Sequence, residues 1–173
     1  HLGVRRQRQM CIRDRVINII KRNNSADAFV IACFSDPGIY AAREVTNKPV
    51  FGIAESGILT ALSLGSSFGI LAILDTSVPR HVRYVRSLGL EKRLAGDLAI
   101  GLGVAELSDE KKTFHRLLEV GRKLRDNHEA SVLILGCAGM ARYRHNLQES
   151  LGIPVVDPSQ AAVSMAVSAV LLN

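Results

Sequence analysis

Apolar residues in this chain fall into short unbroken runs, separated by stretches with helical spacing. Phe29–Ala32, Pro49–Ile53, Phe68–Leu74 (FGILAIL), Val132–Leu135 and Val155-Val156 are continuous rather than alternating, which predicts strands buried on both faces. Leu98–Ile100 predicts one more short strand. Val16-Ile17-Ile19-Ile20 reads as the end of an amphipathic helix that stops near Asn23-Asn24-Ser25. Asp36-Pro37 reads as N-cap and first helical position of a helix reaching about Val45. Further helices are expected over Ser56–Leu64, closed by Gly65, and from Thr76-Ser77 with Pro79 to about Leu88, ended by Gly89. Ser108-Asp109-Glu110 opens the longest helix, with Phe114, Leu117, Leu118, Gly121 and Leu124 along one side. A helix from about Met140 to Leu151 and a last one capped by Asp157-Pro158 complete the series. This β–α alternation predicts an α/β fold of parallel sheets covered by helices.

Length and composition narrow the class. A chain of 173 residues is about one domain by the usual length prior. With 47% apolar and 22% charged residues it is ordinary globular protein. The net charge of +6 suggests an anionic partner until its position is considered. Arg5, Arg6, Arg8, Arg13 and Arg15 against Asp14 put +4 into residues 1–15, leaving +2 for residues 16–173. No aromatic-studded basic stripe occurs there, so nucleic-acid binding is not expected. Residues 1–15 (HLGVRRQRQMCIRDR) differ in character from the rest and read as non-native (vector, tag or read-end translation) or disordered; the alternative is a genuine basic arm. Cys11 lies there and is set aside. Three cysteines without a CxxC pair argue against a disulfide framework and for a reduced, cytoplasmic setting. No apolar run approaches the ~18 residues that span a bilayer, so no membrane partner is expected.

Several motifs fail on context. Gly65-Ser66-Ser67-Phe68-Gly69 has the letters of a nucleophile elbow, but it leads from helix to strand, the reverse of what the elbow requires. Gly101-Leu102-Gly103 starts a dinucleotide-type glycine pattern, and Glu106 stands where the third glycine belongs. The histidines at 1, 81, 115, 128 and 145 show no ligand spacing and are expected on the surface; no metal site is implied.

Two cysteines remain. Cys33 in AFVIACFSDPG and Cys137 in SVLILGCAGM each end a buried strand and face a helix start, where open α/β sheets place ligands. Either alone is readily a small buried hydrophobe. At a helix start the backbone amides lower a thiol pKa from about 8.5 into the range of roughly 3.5–7.5, which makes a thiolate available at neutral pH. Asp36 is placed to cap the helix after Cys33, whereas Ala138, Gly139, Met140 and Ala141 offer no cap, leaving amides for an external carboxylate or enolate oxygen.

Ala32-Cys33-Phe34-Ser35-Asp36-Pro37-Gly38, Val50-Phe51-Gly52-Ile53-Ala54-Glu55 and Leu135-Gly136-Cys137-Ala138-Gly139-Met140 together resemble the aspartate/glutamate/hydantoin racemase superfamily, closest to its hydantoin/allantoin branch. The resemblance covers about residues 16–173, with the two cysteines 104 residues apart. It implies two similar Rossmann-like lobes with the active site in the cleft between them: residues 16–54 with 158–173, and residues 55–157. It implies Cys33 and Cys137 as catalytic acid and base, exchanging roles between enantiomers. Phe34, Ser35, Asp36, Thr76, Ser77, Ala138 and Gly139 would bind the substrate, although simple helix capping by Thr76 or Ser77 stands beside that role. The substrate would be a small molecule, with no metal or other cofactor, and a homo-oligomer stays open. The family's opening strand and helix, with an Asn-Pro-Asn-Thr-like turn, has no counterpart here, so the chain reads as part of a longer enzyme. Same-fold decarboxylation or cis–trans isomerisation of small dicarboxylates is the alternative reaction, and an inactive remnant the alternative class.

Overall fold

The computed structural model describes the backbone of residues 2–172 and the side chains of residues 10–172. In chain order the elements are α1 (Leu2–Arg22), β1 (Phe29–Ile31), α2 (Ile39–Glu44), β2 (Val50–Gly52), α3 (Ile53–Leu64), β3 (Phe68–Ala72), α4 (Val78–Ser87), β4 (Leu94–Ala99), α5 (Glu110–Asp126), β5 (Val132–Leu135), α6 (Arg144–Leu151), β6 (Val155–Val156) and α7 (Pro158–Leu171). Short 3-10 turns cover Glu91–Arg93, Val104–Ser108 and Ala138–Tyr143.

The strands form two parallel sheets, β1-β2 and β4-β3-β5-β6. In the larger one Phe68 to Leu71 run opposite Val132 to Leu135. The continuous apolar runs are explained by its two covered faces. Leu71, Leu133 and Leu135 pack with Leu117, Leu124, Leu147 and Leu151 of α5 and α6, while Phe68, Ile70, Val132 and Ile134 join Ile53, Ile58, Val85 and Ala162 on the other side. A third cluster of Ile20, Ile31, Ile39, Ala42 and Val50 closes the small sheet beneath α1 and α2. Helix α7 crosses from β1 and β2 to α3, so both sheets share it. Among the described residues no helix is long and apolar enough to cross a membrane.

Some boundaries differ from expectation. The helix read as ending at Val16–Ile20 begins at Leu2, so residues 2–15 are helical rather than a disordered arm. Arginine, glutamine and methionine there are good helix formers, and no proline or glycine interrupts them after Gly3. Strand β4 begins at Leu94, four residues before the predicted start. Helix α2 begins only at Ile39, after Gly38 in a left-handed conformation (φ 79°). The stretch after Met140 is first a 3-10 turn and becomes α-helical at Arg144.

Candidate active site

Strand β1 ends at Ile31 and delivers Cys33 to a tight turn. The amides of Ser35 and Asp36 both donate back to the Cys33 carbonyl, at 2.7 and 2.9 Å. They are therefore not free to receive a substrate oxygen; the Phe34 amide makes no such bond. The Cys33 side chain is exposed, its Sγ 3.6 Å from Ser35 Oγ. Phe34 points the other way, into the apolar cluster between α3 and the large sheet. One residue buries while its neighbour presents a thiol. Five residues separate Cys33 from the start of α2, so the thiol does not face the start of the helix that follows it, contrary to expectation.

Asp36 corrects a second expectation. It does not cap the helix that follows it. Its φ is 43°, left-handed, and its carboxylate reaches across to α3, where Oδ1 accepts from Ala54 N at 2.9 Å and Oδ2 from Glu55 N at 2.8 Å. Tyr84 Oη also donates to Oδ2, at 2.9 Å. The side chain is 3% exposed, so it is spent inside the protein and offers nothing to a ligand. Burial raises its carboxyl above the ordinary aspartate range, against the opposing pull of these three donors.

Cys137 follows β5 through Gly136, where a β-carbon would sit 2.6 Å from the Leu71 carbonyl. Only glycine allows that approach. Cys137 is extended (φ −158°, ψ 137°) at the N-cap of the 3-10 turn, and Met140 N donates to its carbonyl at 3.1 Å. The amides of Ala138 and Gly139 make no bond of that kind, as expected from the absence of a capping side chain. A β-carbon on Gly139 would lie 3.7 Å from Cys137 Sγ, so this glycine leaves space beside the half-buried thiol. Ala138 packs against the apolar cluster that holds Phe34, which brings the flanks of the two cysteine turns onto one core. Cys11, Cys33 and Cys137 are all free thiols.

The loop after β3 carries Thr76, exposed, and Ser77, buried. Ser77 occupies the N-cap of α4 in a helical conformation and makes no side-chain capping bond, so capping does not explain it. Among the described residues no group of three or more His, Cys, Asp or Glu side chains is placed to hold a metal ion. What the site presents is thiols, hydroxyls and backbone amides.

Comparison with known proteins identifies the family of the chain. The model of the Asp/Glu/Hydantoin racemase family matches residues 5–166. The chain belongs to this family. A hydantoin racemase from Pseudomonas sp. (strain NS671) is 38% identical over 154 residues, 87% of this chain and 62% of that protein. The crystal structure of allantoin racemase from Pseudomonas fluorescens superposes with a TM-score of 0.81 at 32% identity, covering 84% of this chain and 63% of that one. Arylmalonate decarboxylase shares the fold, with a TM-score of 0.69 at 19% identity over 94% of this chain and 75% of that one. The chain thus spans about 62% of the length of the first curated relative it matches.

In this racemase-family chain two residues near the Cys33 turn escaped the sequence reading. His81, expected on the surface, is 3% exposed; its Nδ1 lies 2.9 Å from Asp97 Oδ2, and its ring stands edge-on to Phe34 at 5.1 Å. Asp97 on β4 is equally buried, its Oδ1 has no partner, and burial raises its carboxyl against the pull of His81. Tyr84 is the other. Burial first, and then Asp36, hold its phenol protonated well above the ordinary tyrosine value. The signal was present: His81, Tyr84 and Val85 lie three and four positions apart, on one face of α4. His115, His128 and His145 are exposed as expected, and His1 lies outside the described residues.

Proposed function

We propose that this chain is the two-thiol part of a cofactor-independent racemase acting on a stereocentre next to a carbonyl, in a hydantoin-like cyclic ureide or an amino acid. The observation that carries the reading is the matched pair of strand-end cysteines, Cys33 after β1 and Cys137 after β5, both free and both in turns with an unspent amide. Inverting a carbon acid needs a base on one face and an acid on the other, each with a pKa near working pH. In this reading the Cys33 thiolate takes the proton from one enantiomer while the Cys137 thiol supplies one to the opposite face, and the roles reverse for the other enantiomer. The developing enolate oxygen would be received by the amides of Phe34, Ala138 and Gly139, with Ser35, Thr76 and Ser77 contributing hydroxyls. One such donor is worth about 3 kcal/mol in the transition state. Asp36 acts behind the site rather than in it.

The division into lobes belongs to the same proposal: residues 16–54 with 158–173 around the β1-β2 sheet, residues 55–157 around the larger one, and the substrate in a cleft between them. Its support is the separate sheets and the packing of α7 on β1 and β2. A cytoplasmic setting follows from the reduced thiols the mechanism needs. Similarity to hydantoin and allantoin racemases favours cyclic ureides, whereas the decarboxylase likeness speaks for the fold alone.

The test is incubation in D2O of the protein expressed from its full reading frame, with 5-substituted hydantoins, allantoin and acidic amino acids. Loss of optical rotation with deuterium entering at the stereocentre is expected for one of them. Neither event with any of them contradicts the proposal, and CO2 release or fumarate formation from a dicarboxylate would replace it.

A further inference from the structure

The turn that presents Cys33 is held from outside its own sheet. Strand β1 is three residues long and ends at Ile31, so its ladder with β2 stops before the thiol. Beyond that point the side-chain grip comes from α4, from residues one helical turn apart, beside the two α3 amides on Asp36. Tyr84 Oη bonds Asp36 at 2.9 Å, and His81, fixed in turn by Asp97, abuts the ring of Phe34. Phe34 and Asp36 are the buried residues of the turn, and Cys33 and Ser35 point to its outer side.

Asp36 is the sensitive joint. A non-glycine residue at φ 43° is uncommon and tends to revert unless its surroundings over-determine it. Three donors do so here: two amides from the first turn of α3 and one phenol from α4. The amides fix the carboxylate to a neighbouring element. Among the described residues the phenol is the only side-chain donor to it, and it ties the same carboxylate to α4. Burial keeps that phenol protonated, so it is a permanent donor.

We propose that Tyr84 is a positioning residue for Cys33, acting through Asp36 to fix the direction in which the Cys33 thiol points. It touches no substrate. The proposal rests on the racemase reading for its kinetic consequence, but not for its effect on the thiol. A misplacement of about 1 Å at a reacting group can cost about a hundredfold in rate, so loss of one of three restraints is expected to lower turnover roughly tenfold.

Tyr84→Phe tests this, with Tyr40→Phe, an exposed tyrosine that makes no hydrogen bond to Asp36, as control. Two quantities are read: kcat and KM for both enantiomers, and the rate and pH profile of Cys33 alkylation by iodoacetamide in a Cys11→Ser/Cys137→Ser background. The expected result for Tyr84→Phe is a roughly tenfold lower kcat in both directions, KM within about twofold, and an alkylation rate changed at least about threefold with a displaced pH profile. Tyr40→Phe should match the parent. Asp36→Asn attacks the same bond from its other end and should alter alkylation in the same direction, so the proposal stays testable if one variant folds poorly. Unchanged Cys33 alkylation in both variants overturns it. Should the parent itself not racemise, the racemase reading fails, and the alkylation arm still decides whether Tyr84 positions the thiol.

Discussion

Gly52 and Asp36 occupy one space: a β-carbon on Gly52 would lie 2.1 Å from Asp36 Cγ and within 2.5 Å of both carboxylate oxygens. The missing side chain at the end of β2 is what lets Asp36 reach the first amides of α3. Gly52→Ala therefore expels the carboxylate and leaves the Ala54 and Glu55 amides without their acceptor. Hydrogen bonds to charged groups are worth about 1.5–3 kcal/mol each. Urea unfolding of Gly52→Ala should show a loss of at least about 2 kcal/mol; a value within about 0.5 kcal/mol of the parent, the usual range for an innocuous substitution, would contradict this role.

Tyr84 gives the fold an alkaline signature. Its phenol ionises above the ordinary value near 10 because burial and the Asp36 carboxylate resist a second negative charge. A group whose folded pKa is raised contributes stability that is complete below its unfolded pKa and is lost as pH rises through the folded value. The contribution of Tyr84 is thus full below about pH 10 and declines above it. The melting temperature of the parent should fall relative to Tyr84→Phe as pH rises from 10, and ultraviolet titration should show a phenol that ionises late and disappears in that variant. A gap between the two melting curves that stays constant above pH 10 would contradict it.

His81 and Asp97 stand or fall together. His81→Leu leaves a buried carboxylate with no partner on either oxygen, since Oδ1 already has none. Breaking a buried pair from one side costs about 3–5 kcal/mol, whereas replacing both partners by apolar groups is often neutral. The double variant His81→Leu/Asp97→Leu should therefore be more stable than His81→Leu, as measured by denaturant unfolding through a double-mutant cycle. Strict additivity of the two changes would show that the pair is not coupled.

Legibility in the sequence followed the range of the interactions. Strand β5 was readable because Val132 and Ile134 bury on one face and Leu133 and Leu135 on the other, leaving an unbroken apolar run. Strand β4 was read only at its end. Gly96 and Asp97 break its pattern, and the reason Asp97 is tolerated lies sixteen residues away on α4. Asp36 was misread because Asp-Pro imitates a local helix start, while the amides it caps lie eighteen and nineteen residues on, brought near by β2. Both cysteines were legible because strand ends are set by local pattern. The spending of the Ser35 and Asp36 amides on the Cys33 carbonyl was not, since it depends on the turn geometry.

The most direct test is to follow Cys33→Ser and Cys137→Ser in D2O, starting from each pure enantiomer of a racemised substrate. A serine hydroxyl is far less acidic than a thiol, so each variant loses one base and weakens one acid. Racemisation should fall at least about a hundredfold in both directions, the scale of a lost general acid or base. Each variant should still exchange the stereocentre proton without inversion, Cys33→Ser with one enantiomer and Cys137→Ser with the other, while Cys11→Ser behaves as the parent. If either strand-end variant racemises at the parent rate, the two-thiol account is wrong.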